Sequence, residues 1–153
     1  MDNQQPKASD IEKAWLAGFI DGEGSLMMGK RKDLTPHGFV RKKEVLPKLA
    51  LSNTNIETLD YLVSLLNRLG LPYNIVWREW KNPKYKKAWD LRVTGLSRMR
   101  KWLLIIKPYL ITKSRQAELL WEWIESRRQT DNQKKPYTAR EWQILQEMSV
   151  INH

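Results

Sequence analysis

Cysteine is absent from the 153 residues. That excludes disulfides, thiolate metal sites and a cysteine nucleophile. Histidine is nearly absent: His37 lies beside Pro36 and His153 ends the chain. Histidine-based metal sites and a Ser-His-Asp arrangement therefore have almost nothing to work with. No apolar run approaches the ~20 residues of a membrane span. Residues 1–10 lack the apolar core of a secretory signal and the Arg-rich pattern of a transit peptide. Acids are outnumbered, 17 against 27 Lys plus Arg, giving a formal charge of +10. That balance points towards nucleic acid or an anionic membrane surface, and the absent span and signal point to an intracellular protein.

The chain also contains 41% apolar residues, enough for one domain with a genuine core. Residues 1–9 are polar and read as a flexible N-terminus, and residues 10–153 read as one domain. Eight tryptophans are many for this length, and core packing is the expected use of most of them. One or two could stack on bases or contact DNA sugars.

Asp10 is placed to cap a first helix in which Ile11, Ala14, Trp15, Gly18, Phe19 and Gly22 share one face. Leu16, Ala17 and Ile20 fill another face, so this helix is either buried or paired with a partner chain. Ala14, Gly18 and Gly22 stand four apart, a spacing that lets two backbones approach closely. A strand is expected over 25–32, a turn over 33–38 and a long strand over 39–54. Pro47 inside the long strand suggests an edge or a bulge. Residues 55–69 read as a helix with Ile56, Leu59, Leu62, Val63 and Leu66 inward, ended by Gly70. Segments 73–80 and 86–94 read as a hairpin with a basic tip. Trp89, Leu91 and Val93 face inward there, and Asp90, Arg92 and Thr94 face water. A helix over 96–106 stops before Pro108. Another spans 114–127, with Ala117, Leu120, Trp121 and Ile124 inward. A polar connector over 127–137 leads to a last helix announced by the capping box Thr138-x-x-Glu141. The fold class is α+β, an antiparallel sheet covered by helices on one face, with lysines and arginines on the other.

Phosphate-binding motifs fail. Gly22-Glu23-Gly24 is followed by Met27, so the dinucleotide fingerprint is incomplete, and no P-loop occurs. Two placements run against helix electrostatics. Asp21 and Glu23 stand at the C-terminal, negative end of the first helix, and Lys113 stands at the N-terminal, positive end of a later one. Together they suggest a site needing one negative and one positive group.

Leu16-Ala17-Gly18-Phe19-Ile20-Asp21-Gly22-Glu23-Gly24 resembles the nine-residue signature of the LAGLIDADG homing endonucleases, departing at Phe19, Gly22 and Glu23. The likeness continues through Leu51-Ser52-Asn53-Thr54 and Ile106-Lys107-Pro108-Tyr109-Leu110-Ile111-Thr112-Lys113, covering roughly residues 10–127. It implies that family's fold, a helix-strand-strand-helix-strand-strand-helix core with an antiparallel DNA-binding sheet. One copy of the signature implies a homodimer, with Ala14, Trp15, Gly18, Phe19 and Gly22 at the interface. The implied activity is that of an intron-encoded, site-specific endodeoxyribonuclease: Mg²⁺-dependent hydrolysis of both strands of a long pseudo-palindromic site, leaving staggered 3′ overhangs. The resemblance makes Glu23, Lys113 and Asn53 catalytic. It makes the Glu23 carboxylate and the Gly22 carbonyl the ligands of Mg²⁺, with Mn²⁺ able to substitute. Asp21 becomes chiefly structural. Lys30, Arg31, Lys32, Arg41, Lys42, Lys43, Lys48, Arg78, Lys81, Lys84, Lys86, Lys87 and Arg92 are the expected DNA-binding residues. Arg41, Lys43, Arg78 and Arg92 are the candidates for base reading. The competing reading is a non-cleaving nucleic-acid-binding protein, such as an RNA maturase for its own intron. A restriction-type nuclease would use Glu79-Trp80-Lys81, but its second acid, Asp60, falls on a predicted helix.

Overall fold

The computed structural model describes residues 8–34, 40–129 and 135–152, with strand residues 30–34 and 40–44 described by their backbone. Local signals start and stop most elements. Helix α1 spans Asp10–Glu23 and is capped by Ser9, in a capping box with Glu12, one residue earlier than the expected Asp10. Strands β1 (Gly24–Leu34) and β2 (Val40–Asn53) follow as an antiparallel pair. Helix α2 spans Ile56–Leu69 behind its cap Asn55 and ends at Gly70, whose φ of 68° is the left-handed conformation glycine favours. Strands β3 (Asn74–Arg78) and β4 (Ala88–Thr94) form the second hairpin. Helix α3 spans Leu96–Ile106 and passes through a single 3-10 turn over Lys107–Tyr109 towards α4 (Ser114–Arg128). Helix α5 (Ala139–Ile151) starts on the expected Thr138–Glu141 capping box.

The four strands form one antiparallel sheet in the order β1-β2-β4-β3. Leu26, Leu49, Leu51, Trp89, Leu91 and Val93 line its inner face and are buried with Leu16, Ala17 and Ile20 of α1. Helix α2 adds Leu59, Leu62, Leu65 and Leu66, each worth about 1.5–3 kcal/mol on burial. The turn from α1 into β1 is tight. A Cβ on Gly24 would lie 2.9 Å from both the Ile20 carbonyl oxygen and Leu51 Cδ2.

Several expectations are corrected by tertiary packing. Pro47 lies in an interior strand, not at an edge, and the bulge lies between Lys32 and Leu34. Its carbonyl accepts the Gly95 N–H at 3.1 Å, so its missing donor faces the end of β4. The Gly95 carbonyl is already taken there by Met99 N–H at 3.1 Å, so no partner is left wanting. Ile56 is exposed and Leu65 is buried in its place. Trp121 is only partly buried, and Trp123 enters the core. Asp90 is buried, not wet. Of the eight tryptophans, Trp89, Trp102 and Trp123 are fully buried, while Trp15, Trp77, Trp80 and Trp142 are exposed, so the core accounts for fewer than expected. Arg127 and Arg128 belong to α4 and not to the connector. Within the stretch expected to be flexible, residues 1–7 lie outside the described residues, whereas Ser9 holds the cap.

Candidate active site and nucleic-acid interface

The last turn of α1 and the loop before α4 are joined by reciprocal hydrogen bonds. The Asp21 carboxylate accepts the backbone N–H of Ile111 at 2.8 Å and that of Lys113 at 2.9 Å. Lys113 Nζ returns to the main-chain oxygen of Asp21 at 2.6 Å. Helix α4 has no cap from its own N-cap side chain, so Asp21 provides the anionic cap across space. The ammonium meets one of the carbonyls left open at the end of α1. The two charges that look misplaced along the chain thus each stabilise the other's helix.

Glu23 is the last residue of α1. Its side chain is exposed and makes no hydrogen bond or ion pair with any described residue. Gly22 precedes it, its carbonyl in the same open turn. Asn53 ends β2, two residues beyond Leu51, which pairs with Gly24. Its Oδ1 accepts the N–H of Thr54 at 2.7 Å and of Asn55 at 2.9 Å, and its Nδ2 is left to donate outward. The ends of α1 and β2 and the loop carrying Lys113 therefore meet at one end of the sheet. Both oxygens at the end of α1 are hard donors suited to a divalent cation. No group of three or more His, Asp or Glu gathers among the described residues.

The face of α1 turned away from the core carries Ile11, Ala14, Trp15, Gly18 and Gly22, all exposed, with Phe19 partly so. Trp15 stacks on Phe19 at 5.3 Å between centroids and meets Tyr61 of α2 edge to face at 4.9 Å. A Cβ on Gly18 or Gly22 would meet nothing within 4 Å. Mid-helix glycine costs roughly 1 kcal/mol relative to alanine, and nothing among the described residues requires it at Gly18.

The outer face of the sheet is basic around one buried acid. Asp90 Oδ2 pairs with Arg78 Nε at 2.9 Å and Arg92 Nη2 at 3.1 Å. Its Oδ1 accepts from Ser52 Oγ, and Arg78 Nη2 reaches the same hydroxyl at 3.4 Å. Burial pushes the Asp90 carboxyl up, but the Ser52 hydrogen bond and the two guanidinium groups outweigh it and hold it below its ordinary range. Lys48 lies on β2 opposite Thr94. Lys81, Lys84 and Lys86 are exposed at the hairpin tip. Lys87 pairs with Glu79 at 3.1 Å and lies 5.2 Å over the Trp77 ring. Trp80 and Tyr85, both exposed, meet at 6.1 Å, with the Arg78 guanidinium 5.7 Å over Trp80. The side chains of Lys30, Arg31, Lys32, Arg41, Lys42 and Lys43 lie outside the described residues. Reasoning from sequence missed Asp90 and Ser52, for which a lone acid in a basic strand is the available signal.

No family model matches the chain. An uncharacterized protein of Methanocaldococcus jannaschii is 30% identical over 76 residues, 50% of this chain and 24% of that protein. The chain therefore matches about a quarter of that relative's length. Among solved structures, the archaeal intron-encoded homing endonuclease I-Vdi141I complexed with DNA superposes with a TM-score of 0.64 at 18% identity, covering 94% of this chain and 86% of that one. The homing endonuclease I-CvuI in complex with its target gives 0.59 at 18% identity, covering 94% and 96%. The meganuclease I-SmaMI bound to uncleaveable DNA gives 0.60 at 17% identity, covering 91% of this chain but 42% of that one. The fold of this chain is the LAGLIDADG homing endonuclease fold.

Proposed function

We propose that this chain is a site-specific, intron-encoded DNA endonuclease. It works as a homodimer through α1 and hydrolyses both strands of a long pseudo-palindromic duplex, leaving staggered 3′ overhangs. The observation that carries this reading is the end of α1. An exposed Glu23 carboxylate with no partner among the described residues lies two residues after Asp21, whose main-chain oxygen holds Lys113, at the end of an apolar helix face that the chain itself leaves uncovered. Packing that face against a second copy brings two such carboxylates together, and two close carboxylates repel unless a cation lies between them.

Glu23 and the Gly22 carbonyl would hold Mg²⁺, with Mn²⁺ able to replace it. A divalent ion held there would supply Lewis acidity towards a phosphoryl oxygen and would lower the pKa of bound water. Lys113 holds a fixed positive charge close to where negative charge develops. Asn53 presents its amide N–H groups to solvent at the same end of the sheet, which suits ordering the attacking water. The outer sheet face supplies phosphate and base contacts, since a β-ribbon fits the major groove. Solved structures with this fold are held in complex with DNA or with their target, which supports nucleic acid as the partner for the positive charge.

The test is incubation with a randomised duplex library and Mg²⁺, followed by sequencing of the cut ends, with Glu23→Gln alongside. One long pseudo-palindromic site with staggered 3′ ends, cut by the wild type and only bound by Glu23→Gln, supports the proposal. Salt-dependent binding without any cutting overturns it in favour of a binding protein, for which intron RNA is the next ligand.

A further inference from the structure

A carboxylate in the middle of a DNA-facing basic sheet works against binding. It repels phosphate, and it subtracts from the charge that drives association. Asp90 nevertheless occupies that position, and it is 4% exposed. Its neighbours explain what it does there. Ser52 is directly across on β2, and Arg92 is two residues further along the same face of β4. Arg78 is paired with Ala88, two residues the other way, on β3. The Cα positions opposite Arg78 and at Arg92 are thus about 13 Å apart along β4. Both guanidinium groups nevertheless converge on the single oxygen Oδ2. Left to themselves, two long cations would repel and sample many rotamers. Held on one buried anion, they become a fixed pair, and each side chain stays about half exposed to solvent.

We propose that Asp90 is a positioning residue for sequence readout: with Ser52 it holds Arg78 and Arg92 as one rigid donor unit that reads adjacent base pairs in each half-site. This rests on the endonuclease reading above. The hydrogen bonds support the assignment in detail. Arg78 uses Nε and Nη2 towards Asp90 and Ser52, leaving Nη1 and the outer edge of its fork. Arg92 spends one N–H of Nη2 on Asp90, and the second N–H of that nitrogen forms a free two-donor edge with a neighbouring nitrogen of the guanidinium. A guanidinium with two donors free and its rotamer fixed matches the O6/N7 edge of guanine in the major groove. Ser52 in turn is fixed by its bond to Asp90. Guanine at those adjacent positions is the preference the geometry assigns.

The experiment compares cleavage and binding profiles of the wild type and Asp90→Asn across a library of single-base variants of the selected site, together with affinity for unrelated duplex DNA. Loosening the two arginines while removing a negative charge has two opposite effects. Discrimination at two adjacent positions per half-site falls by about tenfold. Affinity for unrelated DNA rises, with a steeper salt dependence. A merely structural role would lower all binding and flatten nothing selectively. Arg78→Gln and Arg92→Gln give a second readout that does not depend on how well Asp90→Asn folds: each must relax the same two positions. Asp90→Asn must then add little further loss in either background. Relaxation scattered over the site, or arginine variants acting at separate, distant positions, overturns the proposal while leaving the endonuclease reading intact. A wild type that selects no DNA site at all overturns both.

Discussion

Lys113 and Asp21 serve each other's helices: Lys113 Nζ donates to the Asp21 main-chain oxygen at 2.6 Å, and the Asp21 carboxylate accepts the Lys113 backbone N–H at 2.9 Å. The two halves of this relationship are separable by mutation. Asp21→Ala removes the acceptor for two backbone N–H groups and is expected to cost about 1–3 kcal/mol in urea unfolding. Lys113→Gln leaves both of those bonds possible, so its stability cost stays below about 1 kcal/mol. Its cutting rate should nevertheless fall by about tenfold or more, because the fixed positive charge is gone. A Lys113→Gln protein that cuts at the wild-type rate removes the lysine from the reaction. Unchanged stability in Asp21→Ala removes Asp21 as the cap of α4.

The uncovered face of α1 gives a test of assembly. A Cβ added at Gly18 meets nothing within 4 Å among the described residues, so the position has room for a side chain to start outward. Gly18→Glu should keep the wild-type circular dichroism and gain helix propensity. Across a two-fold contact the same change sets two carboxylates against each other and blocks close backbone approach. Sedimentation is expected to shift from dimer to monomer, and cutting to disappear with it. A variant that remains dimeric places the contact elsewhere.

The elements were legible wherever their signals are local. Gly70, Pro108 and the Thr138–Glu141 box stop or start helices through their own backbone chemistry, and the structure keeps those boundaries. The first helix was legible as apolar all round, and one face is in the core while the other is open. Illegible features depend on which strand lies beside which. The alternation Trp89, Asp90, Leu91, Arg92 puts Asp90 on the outer face correctly. Its burial, however, comes from Arg78 on β3 and Ser52 on β2 closing over it. Pro47 looks like an edge residue because the pattern cannot show that β4 ends one residue short of it. The same limit applies to the site. Glu23 and Lys113 stood out by their charge at helix ends, whereas the bond that makes Asp21 and Lys113 compatible joins segments some ninety positions apart.

Helix α5 is held by a buried ion pair. Glu141 Oε1 lies 3.2 Å from Arg127 Nη1 and accepts the Thr138 N–H at 2.8 Å, while Oε2 accepts from Ser126 Oγ at 2.9 Å. Arg127 Nη2 also donates to the Lys135 carbonyl at 3.0 Å, tying the end of the connector to α4. Truncating Glu141 removes the ion pair with buried Arg127 together with the bonds from Thr138 and Ser126. Glu141→Ala is therefore expected to destabilise by about 3–5 kcal/mol, with α5 exchanging its amide hydrogens first. Burial pushes the Glu141 carboxyl up, but the Thr138 N–H, Ser126 and Arg127 together hold it below its ordinary value. A stability loss under about 1 kcal/mol would show that α5 is seated by its apolar face alone.

Glu12 sets the acid limit of the contact between α1 and α2. Its carboxylate receives two nitrogens of Arg68, one at 3.0 Å, together with the Tyr61 hydroxyl at 3.0 Å and the Ser9 N–H at 3.3 Å. The Arg68 hydrogen bonds, followed by the Ser9 N–H, pull its pKa from 4.5 down to about 2. A depressed carboxylate pKa means that the unfolded chain takes up the proton first. The stabilisation is fully present above pH 4.5 and is lost as pH falls towards about 2. Thermal midpoints measured through that window should fall more for the wild type than for Glu12→Gln, which has no such proton to take up. Above pH 5 the order of stability favours the wild type, and the two curves converge at low pH. Parallel curves would mean that Glu12 is not coupled to folding through Arg68. Because Tyr61 touches both Glu12 and Trp15, the same acid titration should weaken dimerisation if α2 lies at the rim of the contact. Sedimentation at pH 6 and at a pH near the Glu12 value of about 2 is the direct check.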